Sequence, residues 1–124
     1  MPGHEEMVAA VNAYVDAFAN GDPEAVVALF AADATVEDPV GTPPHVGHDA
    51  IRAFYTGAMK SGAKLRLAGP VRTTTDYAAF AFEVVINHGG QGMVVDVIDT
   101  FRFNDEGKAI EMRAFFGPAN MKAS

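Results

Sequence analysis

The sequence predicts an α+β fold: three N-terminal helices packed on one face of a curved, mostly antiparallel β-sheet. Three observations carry that prediction. Apolar residues recur at helical spacing in three stretches before Gly62, the texture turns to strands after it, and short glycine-containing turns separate the later strands.

From Met7, apolar positions fall at Val8, Val11, Tyr14, Val15 and Phe18, a helical stripe stopped by Asn20-Gly21. Asp22-Pro23-Glu24 then supplies an N-cap, a proline at the first helical position and an acid in the first turn. The short helix it opens carries Val26, Val27 and Phe30. A third helix follows Gly47, with Ile51, Phe54, Tyr55, Ala58 and Met59 on one stripe. Between the second and third, ATVEDPVGTPP (34–44) reads as a short strand running into a proline-rich turn. Further strands are expected around 64–68, 71–75, 78–87, 93–103 and 109–116, with turns at HGGQG and NDEG. No repeat or linker interrupts residues 1–124, so one domain is expected.

The totals exclude more than they assign. With 49% hydrophobic residues the chain can build a core without disulfides, and the lack of cysteine rules out thiolate metal sites. Net charge is −7, and the nine Lys and Arg residues form no run or stripe. That argues against nucleic acid, anionic membrane surfaces and phosphorylated substrates as partners. Apolar runs such as FEVVI are too short to span a bilayer, and MPGHEEM lacks the pattern of a secretory signal. A soluble cytoplasmic protein is the expectation. His4, His45, His48 and His88 show no metal-ligand spacing and are expected at the surface.

Three polar groups fall on apolar faces. In VVDVIDTFRF (94–103), strand alternation puts Val95, Val97, Asp99, Phe101 and Phe103 on one side. Tyr14 shares the stripe of Met7, Val11 and Phe18. Asp38 shares a strand face with Ala34 and Val36, and Pro39 keeps it out of helical geometry. Each has a plain structural reading. Tyr14 can be a core tyrosine, Asp38 a turn cap, and Asp99 the partner of Arg102 or Arg113, although Arg102 lies on the opposite face by parity. Glu37, beside Asp38, points the other way and is expected in solvent. An unsatisfied buried polar group costs roughly 1–3 kcal/mol against a net stability of about 5–15 kcal/mol, so three together call for a shared purpose. An acid on an apolar face without a cation keeps its proton and becomes a donor, as a tyrosine hydroxyl is. Two neutral donors and one carboxylate around a greasy pocket suit proton abstraction next to a carbonyl, with the enolate oxygen held by the donors. No metal or organic cofactor is required.

The segments YVDAFANGD (14–22), VVALFAADATVEDPVG (26–41), AIRAFY (50–55), AAFAFEV (78–84), VIDTFRFN (97–104) and MRAFFG (112–117) resemble the bacterial ketosteroid isomerases (steroid Δ5-isomerases). That family shares a cone-shaped fold with nuclear transport factor 2 and scytalone dehydratase. A carboxylic acid held neutral in an apolar site is well known from ketosteroid isomerase itself, so the reading of Asp99 agrees with family behaviour.

The resemblance implies Asp38 as the base and Tyr14 with protonated Asp99 as the oxyanion hole. It makes Tyr55 a hydrogen-bonded support for Tyr14, in a network one hydroxyl shorter than in members that carry a tyrosine where this chain has Phe30. The implied substrate is a 3-oxo-Δ5-steroid, isomerised to the 3-oxo-Δ4 form by proton transfer from C4 to C6. Phe54, Phe82, Val84, Phe101, Met112 and Phe116 lie on inward faces that suit a steroid pocket, though such spacing equally describes plain core. A homodimer through the outer sheet face is also implied, and Val94, Ile98, Thr100 and Phe115 are apolar enough to permit it. A polyketide cyclase-like enzyme of the same fold, or a non-catalytic small-molecule carrier, are the alternatives.

Overall fold

In the computed structural model, which describes residues 1–124 with His88 by its backbone alone, helix α1 spans His4–Ala19. Its buried stripe is Met7, Val11, Tyr14, Ala17 and Phe18. The Glu6 carboxylate accepts from the Gly3 amide at 3.1 Å, satisfying a donor at the helix start. At the other end the Lys64 ammonium donates to the carbonyls of Phe18 and Ala19 at 3.0 and 3.3 Å, where the helix dipole is negative. Helix α2 (Pro23–Val27) starts where the sequence predicts, with Asp22 Oδ1 accepting from the Ala25 amide at 3.2 Å.

Phe30 is not helical. It opens strand β1 (Phe30–Glu37), because Leu29 and Phe30 already align with the start of a late strand: the Ala109 amide donates to the Leu29 carbonyl at 2.9 Å. A two-residue strand β2 (His45–Val46), not foreseen, pairs with β1 and leads into helix α3 (Gly47–Lys60). Strands β3 (Lys64–Leu67), β4 (Arg72–Thr73), β5 (Tyr77–His88), β6 (Gln91–Phe103) and β7 (Ala109–Phe115) follow. The tail adds a 3-10 turn at Pro118–Asn120 and strand β8 (Met121–Ala123), also unforeseen.

One eight-stranded sheet results, in the order β2-β1-β7-β6-β5-β3, with β4 also on β5 and β8 also on β6. Only β1–β7 is parallel. The β5–β6 hairpin turns on Gly89 and Gly90, whose φ of 61° and 81° match a two-residue turn needing positive φ twice. The core lies between the helices and the inward sheet face, and parity on β6 holds: Val95, Val97, Asp99, Phe101 and Phe103 are buried. Among the described residues, no helix is long and apolar enough to cross a membrane.

Three surface expectations change. Glu37 is half-buried, bonded to Arg113 at 3.1 Å and to the Gly41 amide at 3.0 Å. His45 is half-buried against Phe54 with ring centroids 4.5 Å apart, and His48 Nε2 lies 2.8 Å from the Phe30 carbonyl. His4 is exposed, whereas the placement expected for the His88 side chain lies outside the described residues. On the outer face Val94 is covered, since Lys122 of β8 pairs beside it and reaches over to Asp96.

Candidate active site

Asp99 sits mid-strand on β6, opposite Phe80 of β5 and Ala114 of β7. It is 1% exposed, the one buried charged-type side chain among the described residues, and neither carboxyl oxygen has a hydrogen-bond partner among them. The arginine rescues fail. Arg102 faces outward to Asp76 at 3.1 Å, and Arg113 is bound to Glu37. Burial, then the negative charge of Asp38, holds the Asp99 carboxyl well above the usual carboxylate range; the nearby Tyr14 hydroxyl opposes this more weakly. A carboxyl raised in this way favours its protonated form, in which it is a hydrogen-bond donor.

Asp38 comes to the same place through β7. Strand β1 ends at Glu37, in register with Arg113, and the Val40 amide then donates to the Ala114 carbonyl at 2.8 Å. Ala114 is the neighbour of Asp99, so the turn bearing Asp38 is tied one strand away from it. Glu37 caps this turn at Gly41, which leaves Asp38 free of the capping role. Burial alone pushes the Asp38 carboxyl up to about 6, so it remains ionised at neutral pH.

Tyr14 arrives from α1. Its ring packs edge-on against Phe101 and Phe80, the residues that flank Asp99 along and across the sheet, at 5.2 and 6.2 Å between centroids. Its hydroxyl lies 3.0 Å from that of Tyr55 on α3, and either can donate. Burial first, then the repulsion that Tyr55, Asp99 and Asp38 exert when ionised, holds Tyr14 well above the ordinary tyrosine range. Tyr55 is raised likewise, by burial and then by Asp38 and Asp99. Both hydroxyls keep their protons.

Tyr14, Asp38, Tyr55 and Asp99 line one cavity of about 280 Å³ whose other walls are almost wholly apolar. Two groups that donate when protonated and one ionisable base thus share an apolar-walled space, an arrangement able to take a proton from carbon while holding the oxygen that becomes negative.

Residues 11–112 match the SnoaL-like domain family. The chain belongs to that family. It is also similar to a protein of Nocardioides simplex named steroid Delta-isomerase, 46% identical over 119 residues that cover 94% of each chain. A solved structure of SalBIII, described as an epoxide hydrolase/cyclase-like enzyme in pyran ring formation in polyether salinomycin, superposes with a TM-score of 0.92 over 100% of both chains. At 23% identity that likeness concerns the fold, which is the nuclear transport factor 2-like cone implied by the sequence resemblance.

Within this SnoaL-like cavity the inward residues sort into wall and backing. Phe54, Phe82, Val84 and Phe116 line it. Phe101 and Met112 do not. Register partners on β6 and β7, they are 1% and 0% exposed, and the Phe101 ring packs against Tyr14, so they back the wall without forming it. Wall residues that the sequence reading missed include Phe18, one turn beyond Tyr14, and Val95 and Val97, which share the parity of Asp99. Those three were signalled by spacing already in hand. Met93 shares that parity too, whereas Leu65 and Met121 were not signalled, because their place on the wall follows from pairings of β3 with β5 and of β8 with β6 that no local pattern encodes.

Proposed function

We propose that this chain is a steroid Δ5-isomerase that converts 3-oxo-Δ5-steroids to 3-oxo-Δ4-steroids. The observation that carries this reading is Asp99: a buried carboxyl with two unpartnered oxygens, on the wall of an apolar cavity that also holds Tyr14 and Asp38. The identity to the Nocardioides simplex protein supports it independently.

In the proposed reaction Asp38 takes the C4 proton, made acidic by the adjacent ketone and double bond. The dienolate oxygen accepts hydrogen bonds from Tyr14 and the neutral Asp99. Asp38 then returns the proton to C6, so the base is regenerated and the double bond moves into conjugation. General-base catalysis contributes roughly 10²–10⁴-fold, and an oxyanion donor about 10²–10³-fold. The wall of valines, methionines and aromatic rings serves twice, taking up a flat apolar substrate and keeping Asp99 protonated.

The test is turnover of androst-5-ene-3,17-dione, followed by growth of the conjugated enone absorbance. Wild type should convert it, and Asp38→Asn should lower kcat by at least about a hundredfold. A loss under tenfold would contradict the assignment of the base.

A homodimer through the outer sheet face belongs to the same reading. Ile98 and Phe115 are register partners there, 50% and 44% exposed, which supports a covered apolar patch. Light scattering should give twice the 13.1 kDa chain mass, and charged residues at both positions should halve it.

A further inference from the structure

The polar groups of the cavity gather at one end, with a single exception. Along β6 the inward residues run Asp99, Val97, Val95, Met93, opposite Phe80, Phe82, Val84 and Ile86 of β5. Six residues of strand separate Asp99 from Met93, about 20 Å of chain at ~3.3 Å each. Asp99 is 1% exposed and Met93 42%, so the cavity runs from a buried polar end to an open apolar one. At that open end Ser61 lines the wall. It follows α3 directly, six residues beyond Tyr55, about 9 Å along the helix axis at 1.5 Å per residue. Its neighbour Gly62 approaches the Asn87 carbonyl, near the hairpin end of β5 (a Cβ there would lie 3.9 Å from it), so this loop stands far from Asp99 along the sheet.

The state of the Ser61 hydroxyl is fixed by chemistry. Its Oγ lies 2.6 Å from the Ala58 carbonyl oxygen, and a carbonyl cannot donate. The serine proton is therefore directed to Ala58, which leaves the Oγ lone pairs free to accept from a ligand in the cavity that Ser61 lines. A hydrogen-bond donor on the remote end of a ligand finds an acceptor there. A ketone in the same place meets another acceptor unless Ser61 gives up its bond to Ala58.

We infer that Ser61 is a specificity residue, favouring substrates that carry a hydroxyl rather than a ketone on the ring farthest from the reacting carbons. This inference rests on the isomerase reading for the orientation of the substrate, with its enolising ketone at Tyr14 and Asp99. In steroid terms the hydroxyl sits at C17. One hydrogen bond of ordinary net strength corresponds to a preference of about 3–10-fold.

Two measurements separate this inference from the one beneath it. Equilenin and its 17β-hydroxy counterpart are phenols that mimic the dienolate and are titrated by fluorescence, whether or not the protein turns anything over. Wild type should bind the 17-hydroxy compound about 3–10-fold more tightly, and Ser61→Ala should bring the two dissociation constants together. In turnover, Ser61→Ala should raise the ratio of KM for 17β-hydroxyandrost-5-en-3-one to KM for androst-5-ene-3,17-dione by a similar factor. Equal affinities in wild type, an equal effect of Ser61→Ala on both compounds, or binding of neither phenol would overturn the assignment of Ser61. Discrimination between the phenols without turnover of either steroid would uphold Ser61 and count against the isomerase.

Discussion

The hydroxyls of Tyr14 and Tyr55 lie 3.0 Å apart, on two different helices, with both residues 2% exposed or less. One shared hydrogen bond cannot use both protons. When Tyr14 donates to a ligand oxygen, the bond between the tyrosines must run from Tyr55 to Tyr14, which stabilises negative charge on Tyr14 and sharpens its donor. Phe30 stacks on Tyr55 with centroids 6.4 Å apart and offers no further hydroxyl, so the relay ends there. Tyr55→Phe should therefore lower kcat about 3–10-fold, the worth of one ordinary hydrogen bond, and leave KM within twofold. Steady-state kinetics check this; an unchanged kcat would mean that Tyr55 only packs.

The pH profile follows from Asp38. Burial raises its carboxyl to about 6, and the base must be ionised to accept a proton. kcat/KM for the free enzyme should rise with pH through about 6 and level off above it. A profile flat from pH 4.5 to 8 would show that no group raised by burial serves as the base.

Asp99 should mark stability in the opposite sense from a salt-bridged acid. Its carboxyl is held up in the folded chain and ordinary in the unfolded chain, so across the intervening pH range the folded state keeps a proton that the unfolded state releases. Stability then falls as pH rises, by about 1.4 kcal/mol per pH unit for a single proton. Asp99→Asn cannot ionise. Urea denaturation of both proteins at pH 5, 6 and 7 should show Asp99→Asn gaining on wild type by about that amount per unit, with the contribution of Asp38 cancelling. A constant difference would mean that Asp99 titrates alike in both states.

Phe101 and Phe116 should separate backing from wall. Phe101→Ala opens a hole beneath Tyr14 and Asp99 and should cost about 3–5 kcal/mol of stability. Phe116→Ala removes cavity wall and should act mainly on KM, by roughly tenfold, with a smaller loss of stability. Thermal melts and kinetics on the two variants check the division, and interchanged phenotypes would contradict it.

Much of this was legible in the chain because it is written in local periods. The 3.6-residue stripe located Tyr14 and Tyr55, and period-two alternation put Asp99 on the buried face and Arg102 on the outer one. The aspartates were legible as anomalies against those periods. What stayed hidden depends on pairing between distant segments. Nothing near Phe30 says that β7 will draw it out of α2, and nothing in MKAS says that this tail will pair with β6 and put Met121 on a cavity wall. Phe101 and Met112 obey the inward parity, yet parity cannot tell the lining of a cavity from the layer behind it; that is decided by where α1 and α3 come to rest.

The central claim is that Tyr14 and a neutral Asp99 together hold the oxygen that becomes negative while Asp38 moves the proton. The measurement that meets it most directly is steady-state turnover of androst-5-ene-3,17-dione by Asp99→Ala beside wild type. The expected result is a kcat lowered about a hundredfold or more, with KM changed by less than threefold. A kcat within threefold of wild type, with the whole effect on KM, would make Asp99 a binding residue and contradict the account.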